Sequence, residues 1–521
     1  MPTFANVALV FSSLALAACV GDAAVNTTPD SGGNDASTPD GGGNDSSVID
    51  GGGGGPTGTF ANAVVFNDIS IGSAATVASS GEVVLVGSFT GTLNINNLGY
   101  VSLGNTDIFV VKLAPNNGVM WVKVFGGSGS DDANAVAIDA SGNIYVAGAV
   151  STAVAFGGKN VPSVHAGFTS YVVKLDATGT AQWATSFDQT AGGFNTQCTS
   201  LAVGPAPSIG VGCITGGNLQ YPKSDTTTGT RTHGSGTLGD VWLAELDPAA
   251  GGVMWGALLT GAAAGSDVVS SVAFDATNNF YAGGTTPSPV MTSDTPTFTV
   301  TKKSLGSQPS NTDAWLVKLA PGAIRAFAWA QTYGAGSDMT AGAVAAVAPD
   351  GTLFFSGSFN GGRDFGKGLL TAAGALDGFL LHLEPVGGST LAQTIFGGPG
   401  NNSNALGMDV DDKGNPVVVA SYSGSGYVLG AANLPATASP QNLNAFVAKY
   451  PPSLAAPLYV KPSLATAADG GSNIGVRPTS IAVNRTSGQS VTAGSLGATV
   501  DLGDGKLVMR SNAAFVLRRD R

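Results

Sequence analysis

From residue 59 onward the chain alternates apolar and polar positions in short runs, broken by Gly, Asp, Asn and Pro, with no helical spacing. One run opens at Asp107 as DIFVVKL and returns as TSYVVKL, DVWLAEL, DAWLVKL, DGFLLHL, NAFVAKY and AAFVLRR. Its aromatic position falls at Phe109, Tyr171, Trp242, Trp315, Phe379, Phe446 and Phe515, at intervals of 62, 71, 73, 64, 67 and 69 residues. Each copy brings three further strands. A small-residue strand A ends in a turn such as Asp139-Ala-Ser-Gly-Asn143, whose Asp and Gly suit a tight hairpin. Strand B ends near a glycine, as at Gly148, Gly283 and Gly357, and strand D is marked by Trp121, Trp183, Trp255 and Trp329. Four-stranded units in seven copies predict an all-β, seven-bladed β-propeller over residues 59–521.

The strand count also predicts how the ring closes. The seventh unit stops after its third strand at the C-terminus, while a spare strand, 59–66, stands ahead of the first unit. Added to the last blade it completes the circle and removes an open edge.

The first sixty residues read differently. Residues 4–18 form a short apolar stretch ending in small residues, a signal-peptide core too brief to span a bilayer. Its end, Leu16-Ala17-Ala18-Cys19, resembles a bacterial lipobox, which implies a signal peptide over 1–18 and acylation of Cys19. Met1 to Ser13 contains no Lys or Arg, so the usual basic segment is missing; ordinary secretion after a small-residue site is the alternative. Acylation holds a protein on a membrane with roughly 0.8 kcal/mol per buried CH₂. Val20 after the Cys resembles lipoproteins sent to the outer membrane. Residues 19–58 are mostly Gly, Asp, Asn, Ser, Thr and Pro with no basic residue, and Asp30, Asp35, Asp40, Asp45 and Asp50 recur every five residues. This composition predicts a disordered, self-repelling tether. A calcium repeat is the other reading, but the period lacks the ligand pattern of a calcium loop.

Charge narrows the function classes. With Lys+Arg 22 against Asp+Glu 34 the net charge is −12, which argues against a nucleic-acid partner. Three His and three Cys leave little material for a metal-rich enzyme, and no cofactor motif appears.

Strings such as DASGNIYVAG, DAWLVKLAPG and FGGSGSDDANAVAID resemble the bacterial SBBP-type β-propeller repeat, and the resemblance extends over roughly residues 60–521. It implies a propeller in a secreted or lipid-anchored protein. It implies no catalytic residues, and a shared fold does not confer a shared activity.

Candidate chemistry is sparse. Ala137, Ala202, Ala273, Ala346 and Ala482 recur at one register of strand A, where strands crowd at the axis, and Asp409 replaces them in unit six. Three residues after each aromatic stand Lys112, Lys174, Glu245, Lys318, His382, Lys449 and Arg518. They are either an anion-binding ring or long side chains reaching solvent and neighbouring carboxylates. His165 and His233 fall in B–C insertions and do not by themselves make a zinc site. Asp107, Asp240, Asp313 and Asp377 open their strands as turn formers. Cys198 and Cys213 face each other across a hairpin, which in an exported protein predicts a disulfide; two buried thiols are the alternative. The tryptophans are expected between blades.

Loop length supplies the functional clue. A–B and C–D turns are short, whereas every B–C connection is long. The face carrying the B–C and D–A connections is therefore the expected recognition surface. Its candidate contacts are Tyr100, Phe168, Tyr221 and Tyr427 with the acids Asp131, Asp132, Asp267 and Asp338. The leading expectation is a non-enzymatic, monomeric scaffold, anchored in the cell envelope through Cys19, binding an envelope protein or polysaccharide. An extracellular hydrolase or lyase is the alternative, and a purely structural envelope role is a third.

Overall fold

A computed structural model describes residues 47–50, 60–66 and 70–520, except 164–166, 190–194, 206–207, 233–238, 262–264, 304–310, 335–339, 400–402, 430–431, 438–442, 466–474, 498–499, 502–505 and 508–512. No helix occurs among the described residues. Cys19, His165, His233 and Asp338 lie outside them.

The seven units fold as antiparallel A–B–C–D sheets. In blade 1 these strands are Ser70–Val77, Val83–Phe89, Asp107–Leu113 and Val119–Phe125. The A strands of blades 2 to 7 are Asp131–Ile138, Thr196–Val203, Val268–Phe274, Thr340–Val347, Ser403–Val410 and Val476–Val483, and each adjoins the next around the axis. Closure is as expected: Phe60–Phe66 pairs with Ala513–Arg519, Val64 opposite Val516, as strand D of blade 7. Outside it lies a strand that the sequence reading misses. Ser47–Asp50 pairs with Phe60–Phe66, Ser47 opposite Val65 and Asp50 opposite Asn62. Four residues of the tether thus join the sheet: Ser47–Asp50 holds the adjacent β-branched pair Val48 and Ile49, which suits a strand added to an open edge.

The core lies between blades. Every aromatic of the strand-C repeat is buried. Val84, Val86, Ile108 and Val110 of blade 1 meet Ile144, Val146 and Tyr171 of blade 2 in one apolar cluster. The strand-B glycine is explained by a bulge. Each A strand carries one extra residue, at Ser73, Asn134, Thr199, Ser270, Ala343, Leu406 and Thr479. The A strand there presses its backbone onto strand B: a Cβ on Gly148 or Gly357 would lie 1.9 or 2.0 Å from the carbonyl oxygen of Asp132 or Ala341. Bulge side chains then reach the next blade. Asn134 donates to the Cys198 carbonyl (3.1 Å), Thr199 to that of Val269 (2.6 Å), Ser270 to that of Gly342 (3.1 Å) and Thr479 to that of Gly72 (2.9 Å).

Cys198 and Cys213 are opposite each other on strands A and B of blade 3 and form a disulfide. The D-strand tryptophans bridge blades as expected. Trp121 donates to the Ala177 carbonyl, Trp183 to that of Pro248 and Trp329 to that of Pro385, each in the next blade's C–D turn.

Candidate functional site

The long B–C connections are hairpins laid along the outer rim. Those of blades 1 to 6 are Thr92–Ile95 with Leu98–Val101, Val154–Phe156 with Lys159–Val161, Leu219–Pro222 with Thr228–Arg231, Val290–Asp294 with Thr297–Thr301, Gly362–Asp364 with Leu369–Thr371, and Val428–Leu429 with Ala432–Asn433. Blade 7 has Val500–Asp501 with Lys506–Leu507. Three of them extend the preceding blade's sheet. Gln220 pairs with Asp188, Ser293 with Leu259, and Asp501 with Leu464. Much of the apparent loop length thus caps strand edges that would otherwise expose unpaired N–H and C=O groups.

This geometry corrects most of the expected contacts. Tyr221 is buried with its ring centroid 4.8 Å from that of Trp242, inside the wedge between blades 2 and 3. Tyr427 is buried on Tyr422 and Phe446, its hydroxyl bonded to that of Ser403. Neither ring reaches solvent, because a hairpin on the rim must pack one face onto the blade beneath. Tyr100 and Phe168 are half-buried. The backbone of Phe168 is engaged, donating to Asn195 Oδ1 and accepting from the Thr196 N–H.

The acids are structural as well. Six blade junctions carry one backbone hydrogen bond from the start of strand A (its first residue, or in blade 4 the residue before it) to the residue before the previous blade's strand C: Asp131 to Thr106, Thr196 to Phe168, Asp267 to Gly239, Thr340 to Thr312, Ser403 to Leu376 and Val476 to Leu443. Asp131, Asp132 and Asp267 are buried at these junctions and so offer no surface carboxylate. Asp131 accepts from the N–H groups of Gly127 (2.7 Å) and Ser151 (3.3 Å). Asp267 accepts from the hydroxyls of Thr286 (2.5 Å) and Ser288 (2.9 Å). Burial, offset in part by these bonds, pushes both carboxyls up to about 6. The strand-C aspartates do similar work: Asp240 accepts from the Gly261 N–H, Asp377 from that of Ala373, and Asp107 from that of Leu103.

A pH dependence follows from Asp267. Its folded pKa of about 6 exceeds the reference value of 3.8, so the native state holds this proton more tightly than the unfolded chain. Its contribution to stability therefore rises as pH falls from about 6 to about 4, by up to about 3 kcal/mol. Asp267→Asn keeps an oxygen acceptor and removes the charge. Urea unfolding from pH 7 to 4 is expected to show a smaller rise for this variant than for the parent; an identical pH profile would refute the assignment.

The seven-membered strand-C ring is spent between elements, not on an anion. Lys112 pairs with Glu82 (3.0 Å), Lys449 with Asp411 (2.8 Å), and Glu245 with Arg325 from the next blade (2.8 Å). Lys174 and Lys318 donate to the carbonyls of Pro248 and Pro385 in the next blade. His382 stacks on Phe354 at 4.4 Å, and burial lowers its pKa. Arg518 donates to Asn117 Oδ1 and to the carbonyls of Gly81 and Ala114.

Asp409, the outlier of the small-residue ring, accepts the Val483 N–H of blade 7 at 2.8 Å and stands 3.8 Å from Arg485. Arg485 also donates across the axis to the Val347 carbonyl of blade 5. It borders a hollow of about 210 Å³ on the A–B face, with Pro205, Phe274, Asp275, Val347 and Pro349. That opening escapes sequence reading, since its walls come from four blades. Among the described residues no group of three or more His, Cys, Asp or Glu is placed to hold a metal ion.

Residues 121–149, from strand D of blade 1 to strand B of blade 2, match the SBBP β-propeller repeat. The protein is a seven-bladed β-propeller carrying that repeat. No curated protein matches the chain. Solved structures with similarity include quinohemoprotein alcohol dehydrogenase from Comamonas testosteroni, with 10% identity, a TM-score of 0.39, and coverage of 87% of this chain and 75% of that one. A Bacillus licheniformis rhamnogalacturonan lyase gives 11% identity and a TM-score of 0.26, covering 87% and 90%. At these values neither likeness bears on what this chain does.

Proposed function

We propose that the protein is a binding scaffold of the cell envelope, anchored through an acylated Cys19, whose rim hairpins engage an envelope protein or polysaccharide. The observation that carries this reading is a row of aliphatic side chains held in solvent by the hairpins of three successive blades: Val290 in blade 4, Leu369 in blade 5 and Val428 in blade 6. Hairpin pairing fixes them on a rigid ring, which lowers the ordering cost of binding. The buried acids of the same face are engaged with backbone and hydroxyl donors, which supports recognition rather than acid–base chemistry there.

The test is a binding screen of the full chain against envelope polysaccharides and surface proteins, alongside the variant Val290→Ser, Leu369→Ser, Val428→Ser. The expected outcome is a partner whose affinity falls at least tenfold in the variant, with an unchanged unfolding midpoint. Equal binding by both would remove the hairpins from the site. Cleavage of a polysaccharide or peptide by the parent chain would replace this reading with the hydrolase or lyase one.

A further inference from the structure

We infer that the hollow on the A–B face is a binding site for a small monocarboxylate with an apolar body, held by Arg485. This face lies opposite the B–C hairpins, so the inference stands apart from the scaffold reading. The hollow is built by the A–B turns around the propeller axis. Their second positions are Ser79, Ala140, Pro205, Ala276, Pro349, Asp412 and Arg485 in blades 1 to 7. Pro205, Ala276, Pro349 and Arg485 line the space, with Phe274 and Val347 from the ends of strand A. Arg485 is thus the one cation among seven equivalent turn positions, and the walls around it are mostly apolar. The hollow holds about 210 Å³, whereas sites for drug-sized ligands start at about 300 Å³, so its occupant is small.

The two carboxylates beside this space are spent on other donors. Asp275 accepts through Oδ1 from the N–H groups of Thr277 and Asn279, and through Oδ2 from Asn279 Nδ2 and the Tyr281 hydroxyl. Asp409 takes one backbone N–H on each oxygen, from Val410 and Val483, both at 2.8 Å. Arg485 is not spent. Its side chain is 51% exposed, it gives one N–H to the Val347 carbonyl at 3.0 Å, and Asp409 stands 3.8 Å away, beyond hydrogen-bond reach. Among the described residues it makes no other hydrogen bond, so most of its donors are open to a ligand. A guanidinium carries donors only, and its planar fork matches the two oxygens of a carboxylate. An apolar body then covers the walls of the hollow and leaves water. Asp275 and Asp409 limit the ligand to a single negative charge, because each further one meets two carboxylates nearby.

The experiment titrates the full chain with benzoate and with isovalerate, each an apolar body bearing one carboxylate, and reads bound ligand by saturation-transfer NMR. Benzamide, with the ring of benzoate and no charge, is the control. The expected result is saturable binding of one or both carboxylates, with benzamide at least about tenfold weaker. Arg485→Met removes the donors and is expected to weaken carboxylate binding by at least about tenfold. Ala276→Phe is expected to abolish binding by filling the hollow from an exposed turn position, with the hydrogen bond of Arg485 left intact. Should Arg485→Met lower the unfolding midpoint, the Ala276→Phe result decides by itself. No saturable binding of either carboxylate overturns the inference. Equal binding of carboxylate and benzamide overturns it as well, since the site would then be merely apolar. Unchanged affinity in either folded variant places the ligand elsewhere and overturns it too.

Discussion

Val64→Asp is expected to cost about 4 kcal/mol or more of unfolding free energy. Val64 is fully buried, lies opposite Val516 and packs with Phe66, Ala493 and Ala514. A carboxylate there has no cation or donor to meet it, so it must either remain buried and unpaired or expel the strand. Expulsion opens blade 7 and leaves the C-terminal strand Ala513–Arg519 as a raw edge, a template for association. The loss is expected in urea denaturation at pH 7 and should lessen at pH 5, where protonation relieves the buried charge. A midpoint within error of the parent would mean that the ring does not depend on its N-terminal strand.

Arg518→Met is expected to destabilise by about 3 kcal/mol while leaving the other blade junctions intact. Arg518 is wholly buried in the last C strand, and its guanidinium spans the seam where the two ends of the propeller meet. It donates to Asn117 Oδ1 at 2.5 Å, to the Gly81 carbonyl at 2.8 Å and to the Ala114 carbonyl at 3.0 Å, all in the turns of blade 1. Met fills similar volume but removes the guanidinium donors from Asn117 Oδ1 and from the Gly81 and Ala114 carbonyls. Hydrogen exchange separates this from general loosening: protection should fall first in blades 7 and 1. Uniform loss across all seven blades would contradict a seam-specific role.

Both effects concern closure, and closure was legible in the residues. The missing fourth strand after AAFVLRR and the spare strand ahead of unit one are matters of counting, and counting survives any uncertainty about side-chain direction. The disulfide was legible for a related reason, since Cys198 and Cys213 flank a single short turn. Tyr221 and Tyr427 show where the reading stops. A tyrosine in a long connection looks available, but period-2 alternation does not say which face of a short hairpin meets the blade beneath. The same holds for Asp131 and Asp267. An aspartate in a D–A connector reads as a surface carboxylate open to a partner, and only the junction between two blades shows it buried against backbone and hydroxyl donors. The arginine beside the A–B hollow was hidden for another reason: Arg485, Asp409 and Val347 belong to three repeats and meet only through the curvature of the ring.

The sequence by itself determined the all-β class, the number of blades, the strand order within each and the way the circle shuts. These depend on local alternation and on internal repetition, both written along one dimension. Tertiary structure alone decided that three of the B–C insertions cap rim edges, that Lys174, Lys318 and Arg518 of strand C tie blades together, and which aliphatic tips remain in water. Those outcomes depend on contacts between residues some seventy positions apart, where burial and hydrogen-bond partners are set by the neighbouring blade rather than by the segment itself.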